Sequence, residues 1–214
     1  MEKSKHSKNE LGLKIYKNIL SDHQSNGNRI LNFYPLKNTL SKISCHGKPN
    51  GKEIKYMKMT FGINYVLTLL NKKEEPGIIK NVCSENSIDW KQIELQGANM
   101  PYLKNKATQS IIITGLEEVY TRLSKDKLIM FIHCAAGIHR TGTIIYCLLR
   151  MFEETPDSAL KALEYIRKET REKVGENRIE LAEKILVPIL LKNIKREDTV
   201  DKLLENVLLE SNNK

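Results

Sequence analysis

The stretch FIHCAAGIHRTG, residues 131–142, decides how the rest of the chain is read. It joins an apolar run, KLIMFIH (127–133), to a helical pattern, TGTIIYCLLRMF (141–152), through a loop of small residues. A short apolar run of this kind predicts a buried strand. A small-residue turn between strand and helix presents successive backbone N–H groups to one concavity, and the following helix dipole adds positive charge. That concavity suits a tetrahedral dianion. Arg140 adds a planar, always-charged fork for two of its oxygens. The same field lowers a thiol's pKa, so Cys134 is expected as a thiolate, placed for in-line attack on a bound phosphorus. His133 is expected to orient the cysteine through nearby backbone, and Thr141 to give Cys134 a hydroxyl hydrogen bond.

Outward from this loop, strand-like and helical patterns alternate. GINYVLTLL (62–70) reads as a strand, PGIIKNVCSEN (76–86) as a helix opened by proline, and DWKQIEL (89–95) as a strand. GANMPYLKN (97–105) reads as a loop, and Ile112, Leu116, Val119, Tyr120 and Leu123 fall at helical spacing. In TPDSALKALEYIRKET (155–170), Thr155 suits an N-cap and Pro156 the first helical position, before a further helical run at 177–195. This alternation predicts an α/β fold with one domain: a central, mainly parallel sheet with helices on both faces. Ligands of such sheets bind at the carboxyl ends of the strands, where 134–140 falls. We expect a polar N-terminal arm over 1–28, the domain over 29–195, and an amphipathic C-terminal helix or tail over 196–214.

The chain has 214 residues, enough for one sizeable core, and its balance of 40% hydrophobic to 29% charged residues is that of a globular protein. The opening MEKSKHSKNE has no apolar core, so no signal peptide is expected. No apolar run approaches the roughly eighteen residues of a membrane span. The expected compartment is the cytoplasm or nucleus. Cys45, Cys83, Cys134 and Cys147 are widely spaced, which predicts reduced thiols and neither a disulfide framework nor a metal site. Cys45-His46 lacks a second pair to complete a zinc site. No cofactor is expected. The net charge of +9 favours anionic partners such as phosphorylated protein, inositol lipid headgroups or RNA, with a solvated lysine-rich face as the other reading.

At every defining position the segment resembles the H-C-x-x-G-x-x-R-[S/T] signature of the protein tyrosine and dual-specificity phosphatase superfamily. His133, Cys134, Gly137, Arg140 and Thr141 fill it. The short spacing between strands resembles the compact dual-specificity branch, over residues of about 30 to 190. The resemblance implies a phosphocysteine on Cys134, with the phosphate held by Arg140 and by the backbone of Ala135, Ala136, Gly137, Ile138 and His139. It implies no metal.

The resemblance also implies an aspartate, on a loop before the cysteine, that protonates the leaving oxygen. Between Gln96 and Leu116 there is no Asp or Glu. Asp89 and Glu94 are the nearest carboxylates in sequence, and each reads more readily as structural. Without the acid, a phenolate leaves more easily than an alkoxide, so phosphotyrosine is the first substrate expected. A second expectation is an RNA 5′-triphosphatase, because the capping-enzyme members of the superfamily lack the aspartate. YPLKNTL (34–40) and IELQGANMP (93–101) resemble that family, whereas His139 stands where it usually has asparagine. A third is a pseudophosphatase that binds phosphate without turnover, against which an intact nucleophile argues. The superfamily further suggests Cys83 as a redox partner of Cys134, with core packing as its other reading. It also suggests Arg171 or Arg178 as a second phosphate ligand, with surface ion pairs as the other reading.

Overall fold

The computed structural model describes residues 29–196. The arm expected over 1–28, and all of the tail expected over 196–214 except Arg196, lie outside the described residues.

Five strands form one sheet in the order β1-β2-β5-β3-β4. β1 (Tyr34–Pro35) runs antiparallel to β2 (Lys42–His46). All the other neighbours are parallel: β2 with β5 (Ile129–His133), β5 with β3 (Tyr65–Thr68), and β3 with β4 (Asp89–Gln92). The α/β class, the mainly parallel sheet and the helices on both faces are as the alternation predicts.

The pleat divides the core. Ile43, Cys45, Tyr65, Leu67, Met130 and Ile132 face the larger helical layer. Val66 and Phe131 turn to the other face, where α1 (Gly51–Phe61) buries Ile54 and Met57, and α2 (Pro76–Glu85) buries Ile79 and Cys83. The larger layer comprises α3 (Met100–Lys104), α4 (Lys106–Lys125), α5 (His139–Met151), α6 (Pro156–Ile166), α7 (Lys168–Lys173) and α8 (Glu176–Leu181).

Helix starts follow local chemistry. Thr155 accepts from Ser158 N, with Pro156 in the first turn, as expected. Such caps contribute about 1 kcal/mol each. Three elements precede the alternation read from 62 onward, namely β1, β2 and α1. Asn50 and Glu53 form a reciprocal capping box at the start of α1, and Gly62 closes it at φ 72°. The segment expected as a loop at 97–105 holds helix α3, because the Asn99 side chain caps Tyr102 N at 2.9 Å. After α8, a π turn spans Ala182–Leu186, and Val187 N–H reaches the Ala182 carbonyl. Pro188 follows at once. Its ring would strike the carbonyl four residues back in a regular helix, and the widened turn accommodates it.

Candidate active site

The loop 134–138 leaves the carboxyl end of β5 and runs into α5, whose first bond is Gly142 N to Ile138 O at 2.7 Å. Its carbonyls are held outward. Ala135 O accepts from Lys48 N at 2.8 Å. Arg167 Nη1 donates to Ala136 O at 3.1 Å and to Gly137 O at 2.9 Å, and Thr170 Oγ1 donates to Gly137 O at 2.8 Å. With the carbonyls committed on one side, the amides are left facing the sulfur, and Gly137 N lies 3.2 Å from Cys134 Sγ. Gly137 has φ 71°, and a Cβ there would lie 2.2 Å from the His46 carbonyl carbon. Only glycine fits.

Cys134 is buried, at 3% exposure. Burial alone would raise its pKa. The Thr141 hydroxyl and amide, the Arg140 charge and the Ile138 amide outweigh it, and the thiol is lowered from its ordinary value. Thr141 Oγ1 is buried without a well-formed hydrogen bond to any described residue, so it acts on the sulfur as a nearby dipole with its proton uncommitted. The other thiols are pushed the opposite way by burial: Cys45 to about 12, Cys83 to about 11 and Cys147 to about 12.

His133 is fully buried behind the cysteine. Its Nδ1 lies 3.3 Å from the Cys134 carbonyl, which can only accept, so this nitrogen carries the proton. Thr68 Oγ1 then donates to His133 Nε2 at 2.9 Å and accepts from Trp90 Nε1 at 2.9 Å. The chain Trp90–Thr68–His133 fixes the end of β5.

Arg140 is held more tightly than the sequence suggests. Its Nη1 donates to Leu69 O at 2.9 Å, Leu95 O at 2.8 Å and Glu74 Oε2 at 2.6 Å, while Nη2 reaches Glu74 Oε1 at 2.7 Å. The outer Nη2–H and Nε–H remain for an anion beside Cys134. Glu74 sits on a short 3₁₀ turn, Lys72–Glu74, after β3, in a capping box with Asn71. The hydrogen bonds from Arg140 hold its carboxyl below the usual carboxylate range, so it is ionised and has no proton to give. No motif singles it out in the sequence.

The remaining candidates separate. Asp89 opens β4, at the end of the sheet remote from the loop, and pairs with Arg122 at 2.6 Å. Glu94 accepts from Lys72 N at 3.4 Å. His139 is exposed, as are Ala135 and Ala136. Cys83 does not meet Cys134. Its carbonyl accepts from Ile88 N beside the start of β4, whereas Cys134 follows His133 at the far end, opposite Thr68. That separation, about 10 Å along the strands, exceeds what a disulfide spans. Burial on α2 is the reading of Cys83 that the packing supports. Arg171 pairs with Glu176 at 2.9 Å, and Arg167 pairs with Glu169 while gripping the loop. Arg178 does neither: its Nε donates to Ala98 O at 2.6 Å and its Nη1 to Val174 O at 3.0 Å. Among the described residues no group of three or more His, Cys, Asp or Glu side chains is arranged to hold a metal, and no helix is long and apolar enough to cross a membrane.

The sequence matches a family model over residues 39–185: PTP-SAK, the Swiss Army Knife protein DSP-PTPase phosphatase domain. The chain belongs to this family. A curated relative, the Arabidopsis thaliana phosphatidylinositol 3,4,5-trisphosphate 3-phosphatase and protein-tyrosine-phosphatase PTEN2B, is 32% identical over 89 residues. That alignment covers 41% of this chain and only 14% of the relative. Among solved structures, the catalytic core of the PP-IP phosphatase SIW14 from S. cerevisiae superposes with a TM-score of 0.56 at 18% identity, covering 78% of this chain and 92% of that one. The Cydia pomonella PTP-2 phosphatase gives 0.52 at 13% identity, over 72% and 89%. At these identities the structures speak for the fold. Together with the family model, they make the chain a cysteine-based phosphatase of the dual-specificity superfamily.

Proposed function

We propose that the chain hydrolyses phosphate monoesters through a phosphocysteine on Cys134, favouring leaving oxygens that depart without a proton, with phosphotyrosine first. The observation that carries this reading is the outward-pinned loop, which turns its amides and the Arg140 fork toward a lowered thiol. The Cys134 thiolate attacks phosphorus as the P–O bond breaks, and the electron pair goes to the leaving oxygen. The loop amides of Ala135–His139 and Arg140 stabilise the equatorial oxygens. Water then displaces sulfur, phosphate is released, and the Thr141 hydroxyl donates to the returning thiolate.

A general acid contributes about 10²–10⁴-fold, and its loss weighs least on a phenolate, whose conjugate acid has a pKa of about 10. The partial relative's printed activities, on a phosphoinositide and on phosphotyrosine, are both monoester hydrolyses and support the same class. The test is kcat/KM on matched phosphotyrosine and phosphoserine peptides, with Cys134→Ser as control. We expect phosphotyrosine to lead by about 10²-fold or more. Equal rates, or activity surviving Cys134→Ser, would overturn the proposal. A phosphoenzyme trapped by rapid quench also separates it from a binder without turnover. Hydrolysis of a phosphoanhydride, as in 5′-triphosphate RNA, is a second reading, favoured by the absence of any Asp or Glu between Gln96 and Leu116.

A further inference from the structure

α1 buries Ile54 and Met57 on one face and presents Lys52, Lys55 and Met59 on the opposite one, at helical spacing. All three are exposed, Met59 to 86%. Exposed lysines of the later helical segments have a carboxylate one turn away: Lys168 has Glu172, Lys173 has Glu169 and Lys184 has Glu180. On α1 the positions three and four after Lys52 hold Lys55 and Tyr56, and those after Lys55 hold Lys58 and Met59. Like charges one turn apart repel. Lys58 turns away to donate to the Ser87 carbonyl at 3.1 Å, whereas Lys52 and Lys55 have no ion pair with any described residue. The neighbouring helix extends this character. A Cβ on Gly51 would lie 3.3 Å from Val82 of α2, and Ile78, one turn before Val82, is 54% exposed. From Gly47 to Asn86 there are seven lysines, four glutamates and no arginine, so the positive charge of this layer consists of lysine alone.

We propose that this face of α1, with Ile78 beside it, docks on an anionic lipid bilayer. Lysine is a compact, strongly hydrated charge drawn to a diffuse negative surface. Two-point reading of phosphates or bases calls for arginine, which the segment lacks. The two lysines stand beside a protruding methionine. Charge therefore holds the helix at the headgroups while an unbranched apolar side chain enters the boundary beneath them. A single-stranded nucleic acid would instead need open aromatic faces. The ring on this stripe, Tyr56, is half-buried, with its centroid 6.0 Å from that of Phe61. The face also starts beside the catalytic loop. Lys48 N donates to Ala135 O, and Asn50, two residues on, caps α1, so a docked chain holds its catalytic loop near the bilayer.

The experiment is sedimentation of the full-length protein with vesicles of phosphatidylcholine alone and of phosphatidylcholine with about 30% phosphatidylserine, at about 0.1 M and about 0.5 M salt. We expect the mixed vesicles to bind at least about tenfold more tightly at the lower salt, with most of that preference gone at the higher. Lys52→Gln with Lys55→Gln should lose about tenfold or more, since each lysine near such a surface contributes about fivefold. Met59→Ser should weaken binding about threefold and keep the salt dependence. A control pair, Lys168→Gln with Lys184→Gln, removes the same net charge elsewhere and should lose less than about threefold. No preference for the mixed vesicles, undiminished binding in the α1 pair, or an equal loss in the control pair would overturn the docking face. A single-stranded oligoribonucleotide that binds as tightly as the mixed vesicles, and loses as much in the α1 pair, would overturn it in favour of RNA. Turnover of p-nitrophenyl phosphate at the unmodified rate in each variant shows that the fold and the catalytic loop are intact, so failure of docking is read apart from failure of the phosphocysteine chemistry.

Discussion

Glu74 closes both terminal nitrogens of Arg140 in a two-point ion pair, at 2.6 and 2.7 Å, from a turn 66 residues upstream. Two carbonyls, from Leu69 and Leu95, complete the grip, so the arginine presents its remaining N–H pair from a fixed plane. Planar two-point recognition of phosphate depends on that plane.

Glu74→Gln keeps the shape and removes the charge. It is expected to lower kcat/KM on an aryl phosphate by about 10- to 100-fold, since hydrogen bonds to charged groups contribute about 1.5–3 kcal/mol. Inhibition by orthophosphate should weaken in parallel, which a general loss of stability would not produce below the melting temperature. The carboxyl is lowered in the folded chain, so its contribution to stability is complete above the ordinary carboxylate value and is lost as pH falls through the lowered one. Thermal unfolding followed below about pH 4.5 should therefore show a flatter acid limb in Glu74→Gln.

Cys134 has a lowered thiol pKa, whereas Cys45, Cys83 and Cys147 are pushed up to about 12, 11 and 12. Iodoacetamide at neutral pH is expected to modify Cys134 alone, as read by peptide mass spectrometry. The midpoint of its pH–rate profile should lie below that of an ordinary thiol. Arg140→Met removes a charge that favours the thiolate and should move the midpoint upward; an unchanged midpoint would count against this electrostatic account.

Gly137→Ala adds a Cβ 2.2 Å from the His46 carbonyl carbon, at a φ of 71°. Backbone is on the other side of the clash and cannot swing away. The strained conformation alone costs about 1–2 kcal/mol. Loss of at least about 10³-fold in kcat is expected, together with a lower melting temperature, because the amides are no longer aimed at one point.

Peroxide treatment followed by peptide mapping should reveal oxidised Cys134 and no Cys83–Cys134 disulfide, since the two lie at opposite ends of the sheet. Recovery of activity by thiol should be the same in Cys83→Ser as in the unmodified sequence.

Much of this architecture is written in contiguous residues. β5, the loop and α5 follow from FIHCAAGIHRTG, and α6 from Thr155 and Pro156, because strand, turn and cap chemistry act over a few residues. α1 had a readable signal in Asn50 and Glu53, a capping pair ahead of Ile54 and Met57. The interlysine spacing masked it. What no local pattern reveals is the support around the loop. Glu74, Arg167, Thr170 and Arg178 reach Arg140, Ala136, Gly137 and Ala98 from 30 or more residues away. In one dimension each is an ordinary charged or polar residue in a lysine- and glutamate-rich stretch. Three arginines of one segment differ in fate only because of which carboxylate or carbonyl each finds.

The outward pinning of Ala136 and Gly137 by Arg167 and Thr170 also bears on how the chain is born. Synthesis proceeds from the amino end, so residues 134–140 emerge before their restraints exist. The groups that lower the thiol, Thr141, Arg140 and Ile138, lie close to it in sequence, but the carbonyls of Ala136 and Gly137 are not pinned outward until the segment beyond Ile166 has been made and docked. A released chain ending at Ile166 is therefore expected to alkylate at Cys134 more slowly than the full-length chain, as read by peptide mass spectrometry.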